Sequence, residues 1–147
     1  MNVKIEVENG AKRPHREHES DSGYDLYAFL GSSAVEIGPG GRMLIYTGIR
    51  KMEMERGYEA QIRPCSGNAL KKGITVLNTP GTIDAGYRGN VCVILYNSGD
   101  VPVTVNDGDK IAQMVFCKLP DVDMEFCTVD SDTDRGDGGF GSTGGIR

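Results

Sequence analysis

The chain has 147 residues, 38% hydrophobic and 25% charged, with 21 glycines, 4 cysteines and no tryptophan, a length that fits one domain with a modest core. Its formal charge is −5, and the excess is local: residues 121–137 hold seven acids and one base, Arg135. This argues against a nucleic-acid binder working through bulk charge, because counterion release needs a basic surface, and no apolar run approaches the ~20 residues of a membrane span.

The opening residues, MNVKIEVENG, carry no signal-peptide pattern. Val3, Ile5 and Val7 alternate with Lys4 and Glu6, which predicts a half-buried strand. Turn signals stand at Gly38-Pro-Gly-Gly41 and Arg56-Gly57. The one segment with helical character is Ser66-Gly-Asn-Ala-Leu-Lys-Lys72, with Ser66 as its N-cap and Gly73 as its stop. Leu77 to Asn90 reads as a hairpin with Asp84-Ala-Gly86 near its tip and the strand from Val91 returning. Two runs, Val91-Cys-Val-Ile-Leu-Tyr96 and Ile111-Ala-Gln-Met-Val-Phe-Cys117, are apolar on both faces, so a second sheet or another subunit is expected to cover them. Between them, Val101, Val103 and Val105 alternate with Pro102, Thr104 and Asn106. Further turns fall at Asn78-Thr-Pro-Gly81, Asn97-Ser-Gly-Asp100 and Asn106-Asp-Gly-Asp109. Turns about every 8–12 residues predict an all-β fold, a sandwich or barrel. Residues 1–129 form one domain on this reading, and the acidic, glycine-rich stretch 130–147 is a mobile tail. Cys65, Cys92, Cys117 and Cys127 form no C-x-x-C pair and read as reduced, mostly packed thiols of a cytoplasmic protein.

Four features could carry chemistry. The tail, Arg135-Gly-Asp-Gly-Gly-Phe-Gly-Ser-Thr-Gly-Gly145, offers backbone N–H groups, two hydroxyls and a fixed charge to an anion. It has no Gly-Lys-Ser/Thr and so is no Walker A loop. A bare glycine-rich end is usually only flexible, but Phe140 suits a lid that stacks on a base. Asp84 reads either as a turn residue or as a carboxylate that orients a water. Gln113 shares strand parity with Ile111 and Val115, so it either satisfies a buried partner or faces a ligand. Asp25, in Ser22-Gly-Tyr-Asp-Leu-Tyr27, is either a strand-end acid or part of a site.

Taken in order, these segments resemble the five motifs of the trimeric dUTPase family. They are Asp21-Ser-Gly-Tyr-Asp-Leu-Tyr-Ala28, Arg63-Pro-Cys-Ser-Gly-Asn-Ala69, Pro80-Gly-Thr-Ile-Asp-Ala-Gly-Tyr-Arg-Gly89, Gly108-Asp-Lys-Ile-Ala-Gln-Met114 and the tail. The resemblance implies a jelly-roll-like, all-β subunit in a homotrimer with shared active sites. The arm 130–147 of one subunit would close over a site built by the others. It implies hydrolysis of dUTP to dUMP and pyrophosphate, with Mg²⁺ on the triphosphate. Asp84 would then hold the attacking water, and Asp25 would reach the metal through water. Tyr87 would pack on the deoxyribose and exclude a 2′-hydroxyl. Uracil would be read around Asn78, Thr82, Ile83 and Cys92, with Phe140 stacked above it. Cys65, Ser66, Gly67, Gln113, Arg135, Gly141, Ser142 and Thr143 fall on the family's phosphate-binding positions.

Cys65 departs from the family, which has arginine there; a thiol cannot repeat that contact, and Arg63 is the nearest candidate to supply the charge. Asn68 and Gly86 also differ from the commonest residues, leucine and aspartate. Two rival readings share the scaffold. A dCTP deaminase needs a glutamate at position 94, where this chain has Ile94. A nucleotide-switched regulatory protein would need a partner surface, and no large insertion offers one.

Overall fold

A computed structural model describes residues 1–140, 142–144 and 146. Ten strands and one helix follow in chain order: β1 (Lys4–Val7), β2 (Tyr24–Tyr27), β3 (Ala34–Ile37), β4 (Arg42–Glu53), β5 (Tyr58–Arg63), α1 (Ser66–Lys72), β6 (Ile74–Val76), β7 (Gly81–Asp84), β8 (Val91–Asn97), β9 (Val103–Asn106) and β10 (Lys110–Lys118). They form two four-stranded sheets, β1-β4-β8-β6 and β2-β10-β5-β7, and a two-stranded sheet, β3-β9. No two consecutive strands are hydrogen-bonded neighbours. Each connection therefore carries the chain to a different sheet, and the architecture is an open, jelly-roll-like sandwich rather than a closed barrel. No helix among the described residues is long and apolar enough to cross a membrane.

The core lies between the large sheets, where the inward rows meet: Ile45, Val91, Val93 and Leu95 from one sheet, Leu26, Ala60, Ile62 and Met114 from the other. Period-two burial runs through β8, with Val91, Val93, Leu95 and Asn97 buried and Cys92, Ile94 and Tyr96 half-buried. The expected second cover is thus missing within one chain. Leu44, opposite Ile94, and Tyr46, opposite Cys92, stay 53% and 50% exposed on the same outer face.

Several local expectations change. The segment 77–90 is not a hairpin: β7 pairs with β5, while β8 pairs with β4 and β6. Cys65, not Ser66, occupies the N-cap of α1, and no side-chain bond caps it; Gly73 ends the helix in the left-handed region at φ 65°, as expected. Val101 lies outside β9 and is exposed. All four cysteines are free, three half-buried and Cys127 exposed, so they are less packed than expected. Beyond Lys118 the described residues form no strand or helix.

Candidate functional site

A cleft of about 420 Å³ opens beside the outer face of the β2-β10-β5-β7 sheet. Three distant segments build it: Asp21, Ser22, Gly23 and Asp25 around β2; Cys65, Ser66, Gly67 and Asn68 at the start of α1; Lys110 and Gln113 on β10. Antiparallel pairing causes this convergence. Gln113 stands opposite Asp25 on one side and Arg63 on the other, so all three share a cross-strand row.

Gln113 donates from Nε2 to the Pro64 carbonyl at 3.0 Å, tying β10 to the entry of α1. Its side chain fills the space where a Cβ on Gly23 would stand; glycine at 23 is needed for that approach. Gln113 thus satisfies a backbone partner and also lines the cleft. A β-bulge between Lys110 and Ala112 shifts the register on β2. The bulge buries Ile111 and turns Lys110 to the same side as Gln113, so the parity expected between Ile111 and Gln113 is broken. Lys110 Nζ donates to Asp25 Oδ2 at 2.9 Å. The hydrogen bond to Asp25 raises the Lys110 ammonium above its ordinary range, against a smaller opposing effect of desolvation. Burial pushes the Cys65 thiol up, so it is neutral at ordinary pH. Asn68 donates to the Lys110 carbonyl at 3.0 Å, which gives the departure at 68 a structural use: it pins α1 to β10.

No group of three or more His, Cys, Asp or Glu side chains suited to a metal occurs among the described residues. Asp25, with one oxygen engaged by Lys110 and Asp21 along the same wall, offers a sparse carboxylate set. That set fits an ion such as Mg²⁺, which keeps several waters and binds mainly through phosphates and one or two carboxylates.

Asp84, Tyr87, Asn78, Thr82, Ile83 and Cys92 do not line this cleft. Asp84 is exposed at the end of β7, opposite Glu59 on β5, whereas Gln113 pairs with Arg63 at the other end of that strand. Four residues of strand and two strand spacings separate them, about 13 Å along and 10 Å across. Tyr87 is 43% exposed, and its hydroxyl donates to the Asn90 carbonyl at 3.0 Å. A Cβ on Gly89 would lie 2.6 Å from Tyr87 Cζ, so that glycine makes room for the ring. Asn78 leans over Gly81, whose added Cβ would lie 3.2 Å from Asn78 Nδ2. Ile83 packs on the core, Thr82 is exposed, and burial raises the Cys92 thiol. Ile94 is half-buried opposite Leu44.

The described tail residues do not line the cleft. Arg135 donates from Nε to the Gly138 carbonyl at 2.9 Å, Phe140 is fully exposed, and Ser142 and Thr143 are exposed. Gly141 lies outside the described residues. Arg63 does not line the cleft; its Nη2 and Nε donate to Gln61 Oε1 at 2.7 and 3.1 Å. Lys110, Asp21 and Ser22 are cleft residues that sequence reasoning did not single out, although all three lie within quoted motifs.

A dUTPase family profile matches residues 9–144. Among curated relatives, the deoxyuridine 5′-triphosphate nucleotidohydrolase of Clostridium tetani is 49% identical over 144 residues, covering 98% of this chain and 96% of its own. That of Alkaliphilus metalliredigens is 51% identical over 147 residues, covering 98% of each. Among solved structures, the dUTPase of Staphylococcus bacteriophage 80alpha with dUPNHPP superposes with a TM-score of 0.85 at 23% identity, covering 97% of this chain and 98% of that one. A dUTPase from phage phi11 of S. aureus, whose structure concerns a structural Mg(II) ion, gives 0.78 at 21% identity, over 90% of this chain and all of that one. The phage structures match the fold; the identity of about half of all positions with full-length bacterial relatives goes further, and by it this chain belongs to the dUTPase family.

Proposed function

We infer that this chain hydrolyses dUTP to dUMP and pyrophosphate by attack of water on the α-phosphorus. The observation that carries the reading is the convergence of Asp25, Ser66, Gly67 and Gln113, from three separate motifs, on one polar cleft of a family member. Asp84, exposed at the end of β7, is the residue suited to hold and polarise the water. Ser66, Gly67 and Gln113 supply donors to the phosphates, and Arg135, Ser142 and Thr143 add others when the arm 130–147 closes. Mg²⁺ carried on the triphosphate would offset charge on the leaving group, with Asp25 as its nearest carboxylate.

Base and sugar selection follow from β7 and Tyr87. β7 is an edge strand, so the backbone at Thr82 and Ile83 has a side free of strand partners, suited to reading uracil by main-chain groups. The Tyr87 ring, braced by Asn90 and Gly89, leaves no room for a ribose 2′-hydroxyl. Deamination is disfavoured by the aliphatic Ile94.

The working unit is a homotrimer. Asp84 lies about 13 Å along and 10 Å across the sheet from Gln113 in one chain, so a water held at Asp84 and a phosphate held at Gln113 are suited to meet between copies of the chain. Leu44, Tyr46, Ile94 and Tyr96 leave an apolar outer face that copies of the chain would cover. Val122, Met124 and Phe126, exposed at alternate positions of the connector, add apolar surface for the same purpose.

The test is a nucleotide panel with Mg²⁺ that follows pyrophosphate release from dUTP, dCTP, dTTP and UTP. Only dUTP is expected to turn over efficiently. Comparable hydrolysis of UTP or dTTP would defeat the roles given to Tyr87 and β7, and ammonia released from dCTP would restore the deaminase reading.

A further inference from the structure

The cleft is short of positive charge. Of its described lining residues, Asp21 and Asp25 are acidic and Lys110 alone is basic, yet the ligand is a triphosphate. Position 65, where the family carries arginine, holds a thiol that supplies no positive charge. Neighbouring cations are committed elsewhere. Arg63 is turned along β5 onto Gln61. Arg16 sits 5.0 Å from the Tyr24 ring centroid and donates to the Asp21 carbonyl at 3.2 Å. Lys12 donates to the Gly108 carbonyl at 2.7 Å.

Lys110 differs in both position and partner. The bulge in β10 brings it to the cleft side of the sheet, and Nζ rests on Asp25, a carboxylate that itself faces the cleft. Its flexible four-carbon stem lets the ammonium exchange one oxyanion for another without backbone movement.

We propose that Lys110 is the cation of the cleft itself that grips the triphosphate in this chain, beside Arg135 of the arm, standing in for the arginine replaced by Cys65; this rests on the dUTPase reading. Asp25 parks the ammonium in the free protein. Entering phosphates, which carry more negative charge than one carboxylate, take Nζ over and release the Asp25 oxygen.

The experiment measures binding of a non-hydrolysable imido analogue of dUTP by calorimetry, with and without Mg²⁺. Wild type, Lys110→Met and the double variant Lys110→Met/Cys65→Arg are compared. A charge-assisted contact predicts a Kd about 10- to 100-fold higher in Lys110→Met, largely restored in the double variant. Unchanged affinity in Lys110→Met overturns the proposal. So does a loss that Cys65→Arg fails to repair, because the lysine would then act only by holding Asp25. Lys110→Gln supplies a second neutral variant should Lys110→Met fold poorly. Wild-type turnover of dUTP, run alongside, separates the two levels. An active wild type with an unaffected Lys110→Met sinks the lysine alone, and a wild type inert toward dUTP sinks both.

Discussion

Tyr87 shows how one ring position depends on a neighbouring glycine. Its hydroxyl is tied to the Asn90 carbonyl and its ring lies across Gly89, where a Cβ would come within 2.6 Å of Cζ. Gly89 does not have a positive φ, so Gly89→Ala meets no backbone penalty of that kind and acts by pushing the ring aside. If the ring excludes a 2′-hydroxyl, that displacement opens the slot. Steric exclusion of this size is worth about 1–3 kcal/mol, so kcat/KM for UTP relative to dUTP should rise about 5- to 150-fold in Gly89→Ala. Steady-state kinetics on both nucleotides checks this; an unchanged ratio would remove the ring from sugar selection. Gly23 and Gln113 stand in the same relation within the cleft, so two of the chain's 21 glycines gain a reason that composition could not supply.

At the scale of elements, the buried Asn97 holds the sheets together where β8 ends. Its Nδ2 donates to the Ile37 carbonyl on β3 at 2.9 Å and to the Val101 carbonyl at 2.8 Å, while Oδ1 accepts from the Gly99 N–H at 2.9 Å. Asn97→Leu keeps the volume but leaves these backbone groups without partners, each at a cost of about 1–3 kcal/mol. We expect a destabilisation of about 3 kcal/mol or more in urea unfolding; a loss below 1 kcal/mol would mean that water replaces the amide with little cost. The same strand marks what the sequence could and could not disclose. A strand at β1 and the turn residues between strands were readable because each is set by near neighbours, whereas the alternating burial of β8 was masked by a run apolar on both faces. Pairing was not. Asp84 and Val91 lie close in sequence, and turn chemistry between them reads as a hairpin, yet nothing local says that β7 and β8 join different sheets. The cleft suffered similarly. Gln113 could be suspected as a polar residue in an apolar row, whereas Lys110 was hidden, because the bulge at Ile111 reverses the parity that a regular strand would give. Ser66 looked like an N-cap because its residue type favours caps, but the backbone placed the cap one residue earlier, at Cys65. The family resemblance suggests the chemistry of these positions, and only the folded registers show that Asp25, Ser66, Gly67 and Gln113 line one cleft.

For the whole molecule, the separation of Asp84 from Gln113 by the length of β5 bears on the proposed trimer, in which each site would draw the two residues from different subunits. In a symmetric trimer, an isologous pair is impossible and each contact joins two different patches, so one subunit's Asp84 can approach another's Gln113 three times over. The consequence can be tested by mixing two damaged proteins. Asp84→Asn lacks the carboxylate proposed to polarise water, and Gln113→Ala lacks a phosphate donor; each alone is expected to retain little turnover. Unfolding the two together in equal amounts and refolding them yields mixed trimers. If each site draws position 84 from one subunit and position 113 from the next, random mixing leaves both intact in about a quarter of sites. Turnover of dUTP should then return to roughly that fraction of wild type, with pyrophosphate release as the readout and light scattering to verify the trimer. If both residues of a site came from one chain, no mixture could contain an intact site and activity would stay at the level of the separate variants. The outer apolar row of exposed Leu44 and Tyr46 and half-buried Ile94 and Tyr96 provides the matching control. Ile94→Lys places a charge where subunits are proposed to meet, at a position half-open in the single chain. It should therefore yield a folded monomer that neither works alone nor rescues Asp84→Asn in a mixture.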